Sequence, residues 1–115
     1  MTKKQLKALK NYITINGGAT VAADGSIALL NSGFMVSLAG YEKKSTIKNL
    51  SLKVINQYLK QAECLGGFAG FWVDDDILYI DISKNIINKQ QAIAEGLKNK
   101  QKAIYNIKEN QSLYL

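Results

Sequence analysis

The chain has 115 residues, of which 47% are hydrophobic and 21% are charged, and its formal net charge is +6. It contains no histidine, arginine or proline and only one cysteine, Cys64. This composition predicts one globular domain over residues 1–115. It excludes intrinsic disorder, an internal disulfide and any active site that depends on histidine.

The positive charge comes entirely from lysine, which occurs 15 times. Lysine attracts phosphates, anionic surfaces and acidic proteins alike, whereas base-specific bidentate contacts favour arginine. An AT-rich coding sequence is an alternative explanation for the many lysines. No apolar run approaches the ~20 residues needed to cross a bilayer, and no signal-peptide pattern follows the N-terminus, so we expect a cytoplasmic protein that does not enter the membrane.

The first half of the chain predicts one helix followed by three short strands. Residues 2–16 have apolar side chains at helical spacing, and Gly17-Gly18 ends the helix. Residues 19–22 and 26–30 flank Asp24-Gly25, which is a strong hairpin signal because both residues accept positive φ. Residues 34–38 continue the pattern as a third strand. The three strands together predict a β-meander.

The middle of the chain predicts a surface connection, a second helix and a second hairpin. Residues 40–49 are polar and are predicted to form the connection. The helix spans residues 52–63, with Ser51 as its N-cap. The hairpin pairs residues 68–73 with residues 77–82.

The last third predicts a helix and two closing strands. The helix begins near Asn88, which forms a capping-box pattern with Gln91, and the strands span residues 103–107 and 112–115. The resulting order, α-β-β-β-α-β-β-α-β-β, predicts an α+β fold with a mainly antiparallel sheet and three helices. The terminal strand is a candidate sheet edge, and because exposed edges pair readily, a homodimer through it is one alternative.

Three features invite a catalytic interpretation, and each has a simpler structural one. The triplet Asp74-Asp75-Asp76 lies between two strands, where aspartate favours a turn. Cys64 has no histidine to activate it and is predicted to be a small buried hydrophobe. Gly66-Gly67 follows a helix and precedes a strand, which is the reverse of a phosphate-binding loop. We therefore predict no catalytic residue, no metal site and no cofactor.

Aromatic side chains on the strands and lysines on the first helix are the candidates for an interaction surface. Exposed aromatics among lysines stack on single-stranded nucleic acid or anchor protein interfaces, although at strand spacing many aromatics are core residues and a lysine stripe is often a solvated face. The candidate residues are Lys3, Lys4, Lys7, Lys10, Phe34, Trp72 and Tyr79.

Two stretches of the sequence resemble a kind of small protein encoded by phages and other mobile elements. The first comprises Asn16-Gly17-Gly18-Ala19-Thr20, then Asp24-Gly25, then Gly33-Phe34-Met35-Val36-Ser37. The second comprises Trp72-Val73, an acidic turn, Tyr79-Ile80-Asp81-Ile82-Ser83, then Ala92, and then Gln101-Lys102-Ala103-Ile104-Tyr105-Asn106. The resemblance leads us to expect an aspartate where Asn106 stands, which further argues against catalysis at that strand.

The resemblance implies a non-enzymatic accessory protein that binds a host or phage macromolecule. One form of this function is steric occlusion of a bacterial defence component of the CRISPR type, and the basic charge argues against mimicry of DNA. The alternative is a non-specific nucleic-acid-binding module that uses lysines for phosphate and Trp72, Tyr79 or Phe34 for stacking. A third and weaker hypothesis is a hydrolytic or metal-dependent enzyme built on Asp74, Asp76 and Asp81.

Overall fold

The computed structural model describes the whole chain, from Met1 to Leu115. The helices are α1 (Lys3–Asn16), α2 (Leu52–Leu65) and α3 (Lys89–Lys98), and a short 3-10 turn (Ile47–Asn49) precedes α2. The strands are β1 (Gly18–Val21), β2 (Phe34–Ser37), β3 (Lys43–Ser45), β4 (Phe68–Asp74), β5 (Ile77–Ile86), β6 (Ala103–Asn106) and β7 (Gln111–Tyr114). The predicted α+β class and the predicted order of helices and strands are confirmed.

All seven strands join one antiparallel sheet in the order β1-β4-β5-β2-β6-β7, and β3 pairs with β5 beside this path. The ten-residue strand β5 is the centre of the sheet. One of its edges is occupied by β4, while β3 and β2 pair with successive parts of the other edge. The Leu38 amide also donates to the Ile82 carbonyl at 2.8 Å, so only Asp81 of β5 lies between the two pairings.

Local signals explain both ends of α1. The Thr2 hydroxyl accepts a hydrogen bond from the Gln5 amide, and the Gln5 side chain accepts one from the Thr2 amide, which completes a capping box. Gly17 ends the helix in the left-handed conformation with φ of 74°. Leu6, Leu9 and Ile13 form the buried stripe that packs against the sheet.

The larger hydrophobic core lies between α1, α2 and one face of the sheet. Helix α2 begins at the N-cap Ser51, whose side chain accepts a hydrogen bond from the Val54 amide, and it buries Ile55, Leu59 and Ala62. The sheet contributes alternate residues of its strands, including Leu78, Ile80 and Ile82 of β5. Because alternate strand residues point to opposite faces, the intervening β5 residues point away from these helices.

A smaller core lies beneath α3 on the same face of the sheet. It consists of Phe34, Val36, Ala92 and Ile104. Phe34 pairs with Ile86 and Val36 pairs with Lys84, and these β5 residues share the face of Ile82. All three helices therefore cover one face, and no helix covers the other.

The predicted β-meander is wrong, because β1 and β2 are not neighbours in the sheet. The turn at Asp24-Gly25 forms, but residues 26–30 make only an isolated bridge, between Val21 and Ile27, in place of a strand. The predicted strand 34–38 forms as β2. The remaining strand of the predicted order is β3, which lies in the segment 40–49 that was predicted to be a surface connection. The hairpin signal is local, whereas β3 forms because the long strand β5 offers it an unoccupied edge.

No helix of the protein combines the length and the apolar character needed to span a bilayer.

Candidate functional site

The helix-free face of the sheet, which we call the open face, is the main candidate for an interaction surface. Strand alternation and the pairing register determine which side chains it carries. These side chains include Thr20, Met35, Ser37, Lys44, Trp72, Tyr79, Asp81, Tyr105, Ser112 and Tyr114. A groove with a volume of about 1020 Å³ runs across this face.

Trp72 and Tyr79 lie directly opposite each other on β4 and β5. Trp72 is 65% exposed and Tyr79 is 37% exposed, so both rings reach solvent. The Lys44 ammonium nitrogen lies 5.6 Å from the centre of the Tyr79 ring, which is within the range of a cation–π contact. The structure thus brings together two of the sequence-predicted aromatics and one lysine that the sequence did not single out.

Gly18 supports the position of the Trp72 ring from the neighbouring strand β1. A Cβ at Gly18 would lie 2.6 Å from the Cε3 atom of Trp72 and 2.6 Å from the carbonyl oxygen of Phe71. Only glycine therefore allows the indole to lie across β1. This close approach explains one half of the Gly17-Gly18 pair, and the end of α1 explains the other.

Asp81 lies in the floor of the groove, two residues along β5 from Tyr79. The Ser37 hydroxyl donates a hydrogen bond of 2.7 Å to its carboxylate. Burial raises the pKa of Asp81, the Ser37 hydrogen bond opposes that shift, and the negative charge of Glu42 adds to it. Opposite Asp81 on β4 is Gly70, whose missing side chain leaves room for the carboxylate.

The groove carries no excess of positive charge. Its only charged residues are Glu42, Lys43, Lys44 and Asp81, and the register places the Lys43 side chain on the helix-covered face with Ile80. The groove therefore presents one lysine and two carboxylates, although the chain as a whole carries a net charge of +6.

The lysines predicted on the first helix do not join this surface. Lys3, Lys4, Lys7 and Lys10 lie on α1, which packs against the opposite face of the sheet. The first three are exposed and Lys10 is half-buried. The predicted lysine stripe and the two exposed aromatics are thus separate features of the molecule.

The prediction that Phe34 contributes to an interaction surface is wrong. Phe34 is 8% exposed and belongs to the small core beneath α3. The side chains of β2 point alternately to the two faces of the sheet, and α3 covers the face to which Phe34 points. The sequence missed Met35, the next residue, which points to the open face together with Tyr105.

The buried role predicted for Cys64 is also wrong, because its side chain is exposed on α2. The buried stripe of α2 ends at Ala62. A residue two positions further on is rotated by about 200° around the helix axis and faces solvent. The general preference of cysteine for burial is overridden here by its position on the helix.

The acidic triplet forms a turn, as predicted. Asp75 and Asp76 have φ of 48° and 68°, and they join two strands that remain paired up to Asp74 and Ile77. Two central residues with positive φ are typical of a type I′ turn. Asp81 lies further along β5, and no group of three histidine, cysteine or acidic side chains is arranged to hold a metal ion.

The predicted role of Gly66-Gly67 in ending a helix is confirmed. Gly66 adopts the left-handed conformation with φ of 67°, and the amide of Gly67 donates a hydrogen bond to the Ala62 carbonyl. A Cβ at Gly67 would also lie 2.5 Å from the Ser83 carbonyl oxygen. Gly66 therefore ends α2, and Gly67 allows the chain to lie close to β5 where β4 begins.

Comparisons of the chain with known protein families, with curated proteins and with solved structures found no match.

Proposed function

We propose that this protein is a non-enzymatic binding protein whose open face docks onto a protein partner and blocks that partner by steric occlusion. The observation that carries the proposal is the exposure of Trp72 beside Tyr79 on a face that no helix covers. Leaving an indole in water forgoes the favourable burial of a large apolar surface, and tryptophan and tyrosine are the residues most enriched at the energetic centres of protein interfaces.

The charge of the groove favours a protein partner over nucleic acid. The lysines of α1 lie on the other side of the molecule, and Lys44 at the groove is outnumbered by the carboxylates of Glu42 and Asp81. Proteins that bind single-stranded nucleic acid use a positively charged groove that follows the phosphate backbone. A groove with exposed aromatic rings and no excess of positive charge is better suited to the mixed polar and apolar surface of a protein.

The class of partner follows from the resemblance to small phage and mobile-element proteins. We propose an accessory protein that acts in a bacterial cytoplasm on a host macromolecule, and a CRISPR-type defence component is the target class that this resemblance suggests. The mechanism needs no catalytic residue, because occupying the partner's surface is sufficient.

A capture experiment with matched variants tests the proposal. The tagged protein is incubated with nuclease-treated lysate of a bacterial host, and bound proteins are quantified by mass spectrometry. Tyr79→Ala is compared with Tyr12→Ala, because Tyr12 on α1 is 39% exposed and Tyr79 is 37% exposed. We expect one protein at near-equal stoichiometry that is lost with Trp72→Ala and Tyr79→Ala and retained with Tyr12→Ala.

Two results would contradict the proposal. If all three variants capture the same proteins equally well, the open face is not the binding surface. If the wild type captures no protein but retains DNA or RNA when nuclease is omitted, the partner is nucleic acid.

The second candidate function is non-specific binding of single-stranded nucleic acid. It is favoured by the Lys44 ammonium near the Tyr79 ring and by the neighbouring Trp72, because bases stack on exposed aromatic rings and a lysine beside them attracts phosphate. Trp72 is the only tryptophan, so its fluorescence reports on this site directly. Quenching by oligothymidylate that weakens steeply with added salt would support this candidate, and unchanged fluorescence would reject it.

A further inference from the structure

The sheet has three strands with an outer edge, and only β7 leaves its edge unprotected. The edge of β1 is covered, because the Ala22 amide bonds to the Ser26 carbonyl and the Ala28 amide bonds to the Thr20 carbonyl, both at 2.8 Å. The edge strand β3 carries exposed Lys43 and Lys44, and such charges discourage pairing. Strand β7 consists of Gln, Ser, Leu and Tyr and pairs only with β6.

The hydrogen-bond pattern identifies the free backbone groups of β7. The amide of Leu115 donates to the Lys102 carbonyl at 2.9 Å, one position beyond the pair of Ala103 with Tyr114. Hydrogen-bonded residues alternate along an antiparallel ladder, so Leu113 also directs its backbone groups toward β6. Ser112 and Tyr114 consequently direct their N–H and C=O groups away from the sheet.

We infer that β7 pairs in antiparallel fashion with β7 of a second copy of this chain, which forms a two-fold dimer with one continuous sheet. Only one register uses all the outward groups of both strands. It places Ser112 opposite the partner's Tyr114, which forms four hydrogen bonds, and it places Leu113 on the two-fold axis. The assembly closes at two copies because each chain has one free edge of this kind.

The side chains on this edge complement themselves in that register. Leu113 is half-buried against the small core, and at the axis it meets the partner's Leu113 in the closer, non-hydrogen-bonded type of pair. On the open face, Tyr114 is 80% exposed and would cover the partner's Ser112. Ser112 pairs with Tyr105 within each chain. The side chains of Tyr105, Ser112 and the partner's Tyr114 would therefore form one row across the dimer on the open face.

The dimer is compatible with the proposed function but does not depend on it. Trp72 lies on β4, and β5, β2 and β6 separate that strand from β7. A four-residue edge with its flanking side chains buries less surface than a standard interface, so we expect a weak, reversible dimer with a dissociation constant of about 0.1 to 1 mM.

Sedimentation equilibrium tests the inference on the whole chain from about 10 µM to about 1 mM. We expect a monomer at the lower concentration and a dimer as the largest species at the higher. Amide exchange followed by NMR provides a second measurement, since Ser112 and Tyr114 should gain protection with concentration. A monomer throughout the range, or assembly beyond two copies, would overturn the inference.

Two variants change β7 while sparing the pairing with β6. Ser112→Pro removes one outward N–H from each chain, and Tyr114→Lys places a charge on the edge as β3 does. Each should weaken the dimer about tenfold or more. Trp72→Lys is the matched control, because it makes the same type of change at an exposed aromatic of β4 and should leave the dimer intact.

These variants also separate this inference from the proposed function. If Trp72→Lys disrupts the dimer and the β7 variants do not, the copies associate through the open face and the β7 inference is wrong. Loss of partner capture with Trp72→Ala while dimerisation persists would support both ideas independently.

Discussion

Asp81 shows, at the scale of the residue, how one side chain responds to its place in the sheet. Its carboxylate is partly withdrawn from water and is held by the Ser37 hydroxyl, and burial raises its pKa above the ordinary value. The folded protein therefore binds the Asp81 proton more readily than the unfolded chain does. By linkage, the free energy of unfolding falls as the pH rises from the unfolded pKa through the folded one.

We therefore predict that Asp81→Asn stabilises the protein by about 1 kcal/mol at pH 7. The amide oxygen of asparagine can still accept the Ser37 hydrogen bond, and the buried charge is gone. Urea unfolding at pH 7 and at pH 3 measures the effect. The gain should shrink at pH 3, where Asp81 of the wild type is largely protonated. A loss of stability at pH 7 would show that the ionised carboxylate is favourable in the groove.

The hairpin of β4 and β5 shows, at the scale of the element, how local chemistry fixes a turn without optimising it. Asp75 and Asp76 both have positive φ, which aspartate tolerates less readily than glycine. Three adjacent carboxylates also repel one another. The paired strands on either side hold the turn in place despite these costs.

Replacing the turn by its preferred residues should consequently stabilise the hairpin. We predict that the double variant Asp75→Asn and Asp76→Gly raises the free energy of unfolding by about 1 kcal/mol. Thermal and urea unfolding against the wild type measure the change, with Asp74→Asn as a control that removes one charge outside the two central positions. If the control stabilises the protein as much as the double variant does, charge repulsion and not backbone strain is the dominant cost.

Two hydrophobic cores share one face of the sheet at the scale of the whole molecule. The larger core lies beneath α1 and α2, and the smaller one lies beneath α3. Strand β5 crosses from one to the other, and β2 pairs with its second half. Because these strands are common to both regions, we expect the molecule to unfold as one cooperative unit.

A cavity in the smaller core tests this cooperativity. We predict that Ile104→Ala costs about 3 kcal/mol and that Ile104→Val, its milder control, costs about 1 kcal/mol. Trp72 fluorescence reports on the other end of the sheet and should shift to the same denaturant midpoint as far-UV circular dichroism. An unchanged Trp72 transition in Ile104→Ala would mean that the two cores unfold separately.

The sequence by itself determined the helices, most of the strands and the turns, because their signals act over a few neighbouring residues. The N-caps at Ser51 and Asn88 and the acidic turn all appear where these signals predict them. The exposed positions of Trp72 and Tyr79 were proposed as candidates, but no local pattern distinguishes them from core aromatics.

Only the tertiary structure decided which strands pair and which face stays open. Phe34 and Met35 are adjacent in the chain, yet one lies beneath α3 and the other on the open face. Strand β3 exists because β5 offers it an edge, and residues 26–30 make only a bridge. Side-chain alternation is local, but the choice of the buried face depends on contacts between residues far apart in sequence.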